Sequence, residues 1–138
     1  METLAIYLAL NGVAVMLVSL LGGLFLYKAI VTDERVSSWH LLHAGGSARG
    51  ILLIAISAII QLPALPFWLV SLASWFIVFF VWTSLMAMLL RAMTGEPGFH
   101  FSGSLSNKLA FILYLSGTCT VFPGLLILLL GLLLALGK

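Results

Sequence analysis

The sequence predicts an all-α integral membrane protein, a bundle of four transmembrane helices in a single membrane domain over residues 1–138. Apolar residues make up 63% of the chain and charged residues 7%, whereas soluble domains are about half apolar and a quarter charged. The mean hydropathy is +1.27. Because each crossing takes about 20 apolar residues, four crossings use most of the chain and leave no room for a separate soluble domain.

The first two predicted helices are delimited by charge and by proline. The first run, 4–30, has an acidic start and precedes the charged segment 33–35, so we expect it to stay as a membrane helix rather than be removed as a signal peptide. The second run, 39–62, ends where Pro63 and Pro66 block regular helix within a very short connection. Helices two and three are therefore expected to form an antiparallel hairpin.

The last two predicted helices enclose the longer polar loop. The third run, 67–90, is rich in tryptophan and phenylalanine, and it stops shortly before the turn-forming segment 94–98. The fourth run, 108–136, contains Pro123, which can bend a membrane helix, and it ends at Lys138.

The basic residues predict the orientation of the bundle. The first and third loops are flanked by four of them: Lys28, Arg35, Arg91 and Lys108. Because positive residues favour the cytoplasmic side, we expect both loops to lie on the cytoplasmic side of the cell inner membrane. Lys138, at the other end of the fourth helix, argues weakly for the opposite orientation. Basic residues placed singly between apolar runs also argue against a nucleic-acid partner.

Histidines are the candidate metal ligands. His43, in the second helix, is the leading one, because a neutral imidazole is a common haem iron ligand; the alternative is a side chain that bonds a neighbour or faces interfacial water. His40 lies three residues earlier, but no Asp, Glu or Cys stands nearby to complete a zinc-like site. His100, in the third loop, is either a second axial ligand or an exposed loop residue.

Arg49 is a charged residue inside the second apolar run, and it needs a partner there. A carboxylate such as Asp33 or Glu34, a haem propionate, or headgroups reached by snorkelling would each satisfy it.

Small and aromatic residues supply the remaining candidates. Gly46 and Gly50 form a small-xxx-small pair, which permits close helix contact or contact with a flat ligand. The tryptophans of the third helix, Trp82 among them, are more often interface anchors and packing residues than a cofactor site. Cys119 is the only cysteine, and no nucleophile, base and orienting acid can be assembled, so redox exchange and ordinary hydrolysis are not expected.

Several segments together carry a resemblance to one family. Segment 39–50, with the pattern Trp-x-x-x-His-x-Gly-x-x-x-x-Gly, resembles the second helix of styrene oxide isomerase. Two segments are similar to its first helix: 11–12 (Asn-Gly) and 20–23 (Leu-Leu-Gly-Gly). Trp82 is at the position of a tryptophan in its third helix. Segment 98–101 (Gly-x-x-Phe) is similar to the loop that follows that helix.

The resemblance implies a cofactor, an assembly and a reaction. It implies a homotrimer that binds haem b between protomers, with His43 as the axial ligand. Gly46, Gly50 and Trp82 are the further candidates for cofactor binding. Ferric iron would act as a Lewis acid on the oxygen of a small apolar substrate such as an aryl epoxide. The benzylic C–O bond would open and a 1,2-hydride shift would give an aldehyde, the Meinwald rearrangement.

Two positions depart from the family pattern. Arg49 and Met88 stand where the family has an asparagine and a tyrosine that place the substrate, so they are the candidate catalytic positions here. Two other functions are compatible with the residues. One is a b-type cytochrome that transfers electrons, in which His100 or His40 is the second axial ligand of the haem iron. The other is a cofactor-free assembly subunit whose glycines and aromatics only pack against partner helices.

Overall fold

The computed structural model describes residues 1–137, which form four long helices and contain no strand. The helices are α1 (Glu2–Thr32), α2 (Val36–Ile59), α3 (Phe67–Thr94) and α4 (Leu105–Leu136). Each is long and apolar enough to cross a bilayer. The predicted all-α fold of a multi-pass membrane protein is confirmed. Lys138, predicted to end the fourth helix, lies outside the described residues.

Caps, rather than charged residues, set the ends of the helices. α3 continues through Arg91 to Thr94, where Gly95 adopts a left-handed conformation (φ 79°) and donates its N–H to the Arg91 carbonyl. α4 begins earlier than predicted, because the Ser104 hydroxyl accepts the N–H of Asn107 and caps its first turn. The charged side chains near these ends lie inside the helices rather than beyond them.

The proline connection between α2 and α3 is anchored to the far end of α4. α2 starts at Val36 and ends at Ile59, so it is shifted towards the N-terminus relative to the predicted 39–62. The N–H of Ala64 donates to the carbonyl of Gly131 at 2.9 Å. α4 itself runs through Pro123 without a break in its helix.

Glycines allow the closest contact between α1 and α2. A Cβ on Gly12 would lie 2.8 Å from the carbonyl oxygen of Gly50, and a Cβ on Gly50 would lie 2.8 Å from that of Gly12. α3 packs along α4 and is the most enclosed helix. The largest buried apolar side chains come mostly from α1, α2 and α3: Leu8, Leu42, Leu53, Ile60, Ile77, Leu85 and Met88.

The first and third loops meet at one end of the bundle. The Arg35 guanidinium donates to the carbonyl oxygen of Met93, at the end of α3. Asn107, buried at the start of α4, accepts the N–H of Gly98 and donates to the carbonyls of His100 and Ser102. These bonds order the third loop and bring the basic residues that flank the two loops to the same end.

Candidate functional site

His43 lies in an irregular turn of α2. The turn Leu41–Gly45 is π-helical, between regular α-helix on either side. A π-helical turn inserts an extra residue and changes which side chains share a face of the helix, and such turns are frequent at functional sites. Nothing in the apolar pattern of the sequence predicted it.

The imidazole of His43 is held by the backbone of α1. Its Nδ1 lies 2.9 Å from the carbonyl oxygen of Ser19. Because a carbonyl oxygen can only accept, Nδ1 carries the proton, and in a neutral imidazole Nε2 then keeps its lone pair. No hydrogen bond to Nε2 occurs among the described residues. This is the usual arrangement of a metal-bound histidine, whose second nitrogen donates to a carbonyl or carboxylate.

Gly23 makes room for the ring. A Cβ at this position would lie 2.9 Å from Nδ1 and 3.0 Å from Cε1 of His43, closer than ordinary van der Waals contact. One turn of α2 before His43, Trp39 stacks on Phe25 of α1, with ring centroids 4.9 Å apart. α1 therefore supplies a bare backbone surface and an aromatic contact beside the histidine.

The other two histidines are exposed. His40 lies on the surface of α2, and His100 lies in the third loop, where its carbonyl rather than its ring is bonded to Asn107. Residues 1–137 contain no group of three or more His, Cys, Asp or Glu side chains placed to hold a metal ion. One histidine is enough to hold haem iron, so the haem prediction does not require such a group.

The predicted glycine pair faces α1 within the protomer. A Cβ on Gly46 would overlap the Ser19 hydroxyl, and one on Gly50 would overlap the Met16 side chain. Both glycines are buried. The glycine pair therefore permits close contact between α1 and α2, which is one of its two predicted roles. Contact of the two glycines with a cofactor stays a prediction.

Trp82 joins α3 to α1 through a polar bond. Its indole Nε1 donates to Oδ1 of Asn11 at 2.8 Å, while the amide of Asn11 donates to the carbonyl of Tyr7. Both polar groups are thereby satisfied in an otherwise apolar layer. Trp75, about two turns before Trp82 on α3, lines an exposed apolar groove of about 550 Å³.

Arg49 points from α2 towards α3. Its Nη1 donates to the carbonyl of Gly45, one turn earlier, at 2.8 Å, and its Cζ lies 5.3 Å from the ring centroid of Phe80. Its Nε is buried and has no hydrogen-bond partner. Asp33 and Glu34 are exposed in the first loop and do not pair with it.

The two positions that depart from the family pattern meet at Gly45. The position of a Cβ on Gly45 lies 3.2 Å from Nη1 of Arg49 and 3.3 Å from Sδ of Met88, which is almost fully buried. His43 packs instead against α1. Within the protomer, Arg49 and Met88 are therefore brought together, and His43 lies on another side of α2.

Three residues with structural roles at the site were not predicted from the sequence: Ser19, Gly23 and Tyr114. Gly23 was visible only as part of the Leu-Leu-Gly-Gly segment, and its role depends on how α1 and α2 are aligned. Ser19 acts through its carbonyl, which every residue possesses, so the sequence carries no signal for it. Tyr114, on α4, has a buried hydroxyl without a partner.

A family model described as styrene oxide isomerase matches residues 4–133, which include most of all four helices. No curated protein matches the chain.

Proposed function

The chain belongs to the styrene oxide isomerase family, and from this membership we propose that it is a haem b-dependent membrane isomerase that converts an epoxide into an aldehyde. The single observation that supports the cofactor is the His43–Ser19 hydrogen bond, which leaves Nε2 as a free ligand atom. The proposed substrate is a small apolar molecule such as an aryl epoxide, taken up from the bilayer.

The proposed reaction is redox-neutral. The benzylic C–O bond of the epoxide breaks, a hydride moves from the neighbouring carbon to the benzylic carbon, and the product aldehyde has the same atoms as the substrate. When bound, ferric haem would supply the Lewis acid that stabilises negative charge on the oxygen.

The residues of the chain would position the cofactor and exclude water. Nε2 of His43 would hold the iron, and the Ser19 carbonyl would keep the imidazole in the required tautomer and orientation. Gly23 would leave space for the ring. The apolar helices would keep water from the benzylic cation, which water would otherwise convert into a diol.

A homotrimer with haem between protomers is part of the proposal. α2 exposes a stripe of small residues on the face next to His43, including Ala44, Ala48 and Ala55. Small exposed residues let helices approach closely in a bilayer. A neighbouring copy packed there would cover the outer side of the imidazole and help to enclose a flat cofactor.

We also propose that the first and third loops face the cytoplasm from the inner membrane. Arg35 and Met93 join these loops at one end of the bundle, so the four basic residues that flank them act on the same side of the membrane.

Conversion of styrene oxide by membranes that contain the protein tests the function. We expect phenylacetaldehyde to accumulate without added NAD(P)H or other electron donor, as detected by gas chromatography. His43→Ala should abolish the conversion, whereas His40→Ala, a matched change at an exposed histidine of the same helix, should leave it intact.

The same assay separates the alternatives. Equal activity in wild type and His43→Ala would reject the proposed role of His43. An inactive protein with a haem spectrum in which both axial positions are closed would favour a b-type cytochrome.

A further inference from the structure

Arg49 lies well inside a helix that is long and apolar enough to cross a membrane. It is near the middle of the 24-residue α2, about 20 Å along the helix axis from Val36 at 1.5 Å per residue. Its Nη1 is held by the carbonyl of Gly45 in the same helix. A guanidinium at this depth requires a counter-charge or several acceptors.

The described part of the chain does not supply that counter-charge. The chain has four acidic residues, and they lie in the first turn of α1 or in loops: Glu2, Asp33, Glu34 and Glu96. Glu96 is already bonded to the Ser104 hydroxyl. The ring face of Phe80 attracts the cation. It does not accept the guanidinium N–H groups, which point outward in the plane of the group, so Nε has no hydrogen-bond partner.

A second unsatisfied polar group lies on α4, the helix that packs on the other side of Phe80. Tyr114 lies one turn before Gly117 on α4, and its hydroxyl is buried without a hydrogen-bond partner. Its ring stacks on Phe99 of the third loop, with centroids 6.1 Å apart. α4 also touches Phe80, which lies 3.3 Å from the Cβ position of Gly117. Arg49 and Tyr114 thus flank one apolar surface on α3.

We propose that Arg49 and Tyr114 bind a carboxylate inside the membrane. A carboxylate has two acceptor oxygens and one negative charge, which match the free guanidinium N–H groups of Arg49 and the hydroxyl donor of Tyr114. Phe80 and Met88 supply the apolar wall beside the cation. The ligand is therefore a small apolar acid, or the acid group of a larger apolar ligand.

The acid has two possible sources, which are distinguishable. It is carried by the substrate, which would make this protein an isomerase of carboxylated epoxides, or it is a haem propionate. Its assignment to the substrate rests on the proposed function. The carboxylate site itself does not, because it is argued from the missing hydrogen-bond partners of Arg49 and Tyr114.

Calorimetric titration of the haem-free protein in detergent tests the site. We expect benzoate or phenylacetate to bind and their methyl esters, which lack the charge, to bind roughly 10- to 100-fold more weakly. Arg49→Gln and Tyr114→Phe should each weaken acid binding, and Arg49→Lys should restore part of it. Lys108→Gln is the matched control, because it removes a cation from α4 whose Nζ lies by Phe101 instead.

Titration with haem b and with its dimethyl ester distinguishes the two sources. If the acid is a propionate, Arg49→Gln weakens binding of haem b but not of the ester, and benzoate competes with haem. If the acid belongs to the substrate, both haem forms bind wild type and Arg49→Gln equally, and benzoate binds beside haem.

Equal binding of acids and methyl esters by wild type, together with haem binding that is insensitive to Arg49→Gln and Tyr114→Phe, would overturn the proposal. The acid-to-ester comparison needs no variant, so it decides the question even if Arg49→Gln does not fold. Loss of haem binding in His43→Ala with acid binding retained would separate this site from the proposed haem site.

Discussion

The ring Nδ1 of His43 lies 2.9 Å from the backbone carbonyl oxygen of Ser19, which fixes the imidazole of α2 against α1. This single bond determines the tautomer of the histidine and leaves Nε2 with its lone pair. It also couples the proposed haem ligand to the packing of two helices, since the ring belongs to α2 and the carbonyl to α1.

Gly23→Ala should weaken haem retention without unfolding the protein. The new methyl group would lie 2.9 Å from Nδ1 of His43, so the imidazole must move away from Ser19. We expect a lower haem content per protein and a shifted Soret band. Gly22→Ala is the control, because its Cβ would meet only the side chain of Leu42, at 3.0 Å. Equal loss of haem in both variants would indicate general crowding of the two helices.

Gly50→Ala should destabilise the contact between α1 and α2. Its Cβ would lie 2.8 Å from the carbonyl oxygen of Gly12, a backbone atom that moves only with its helix. Overpacking of this kind costs about 1–3 kcal/mol. Thermal unfolding in detergent, followed by circular dichroism, should give a lower Tm than wild type. Gly137→Ala, whose nearest neighbouring atom is 4.0 Å away, should leave Tm unchanged.

The bond between Trp82 and Asn11 should be measurable as a coupling free energy. Trp82→Phe removes the indole donor and Asn11→Ala removes the acceptor of the 2.8 Å bond. Double-mutant cycles on hydrogen bonds inside membranes give about 0.6 kcal/mol on average, and we expect a coupling of that size in the free energy of unfolding. Trp75→Phe, at an exposed tryptophan of the same helix, serves as the control. Strictly additive effects would mean that the bond does not stabilise the fold.

The number, order and approximate position of the helices could be predicted from the sequence, because a bilayer requires long apolar runs. Their ends could not, since Arg91 lies inside α3 and Lys108 inside α4. Long basic side chains can extend to the membrane surface from within a helix, so a charge does not mark its end. The caps at Gly95 and Ser104 mark the ends instead.

The candidate site was predictable only in part. His43 stood out because an imidazole is rare and costly in a membrane helix. Residues six positions apart differ by about 120° in a regular α-helix, so the spacing already places His43 and Arg49 on different sides of α2. The π-helical turn at Leu41–Gly45 could not be predicted from the apolar pattern. The contact of Arg49 and Met88 at Gly45 likewise depends on how α2 and α3 are aligned, which one sequence does not specify.

Cysteine labelling tests the proposed orientation. In a Cys119→Ser background, Ser37→Cys and Ser102→Cys place thiols at exposed positions near the first and third loops, and Gln61→Cys places one at the opposite end. An impermeant maleimide added to intact cells should label only Gln61→Cys, and inverted membranes should reverse the result. Labelling of Ser37→Cys or Ser102→Cys in intact cells would contradict cytoplasmic placement of those loops.

The visible absorption spectrum of the purified protein, oxidised and reduced, tests the central claim most directly. We predict a Soret band in wild type and in His40→Ala, and its loss in His43→Ala with the helical circular dichroism preserved. A ferric iron that exchanges added ligands would match the open coordination position that the isomerase requires. A wild-type protein that stays colourless after haem is offered, or a Soret band unchanged in His43→Ala, would contradict the account.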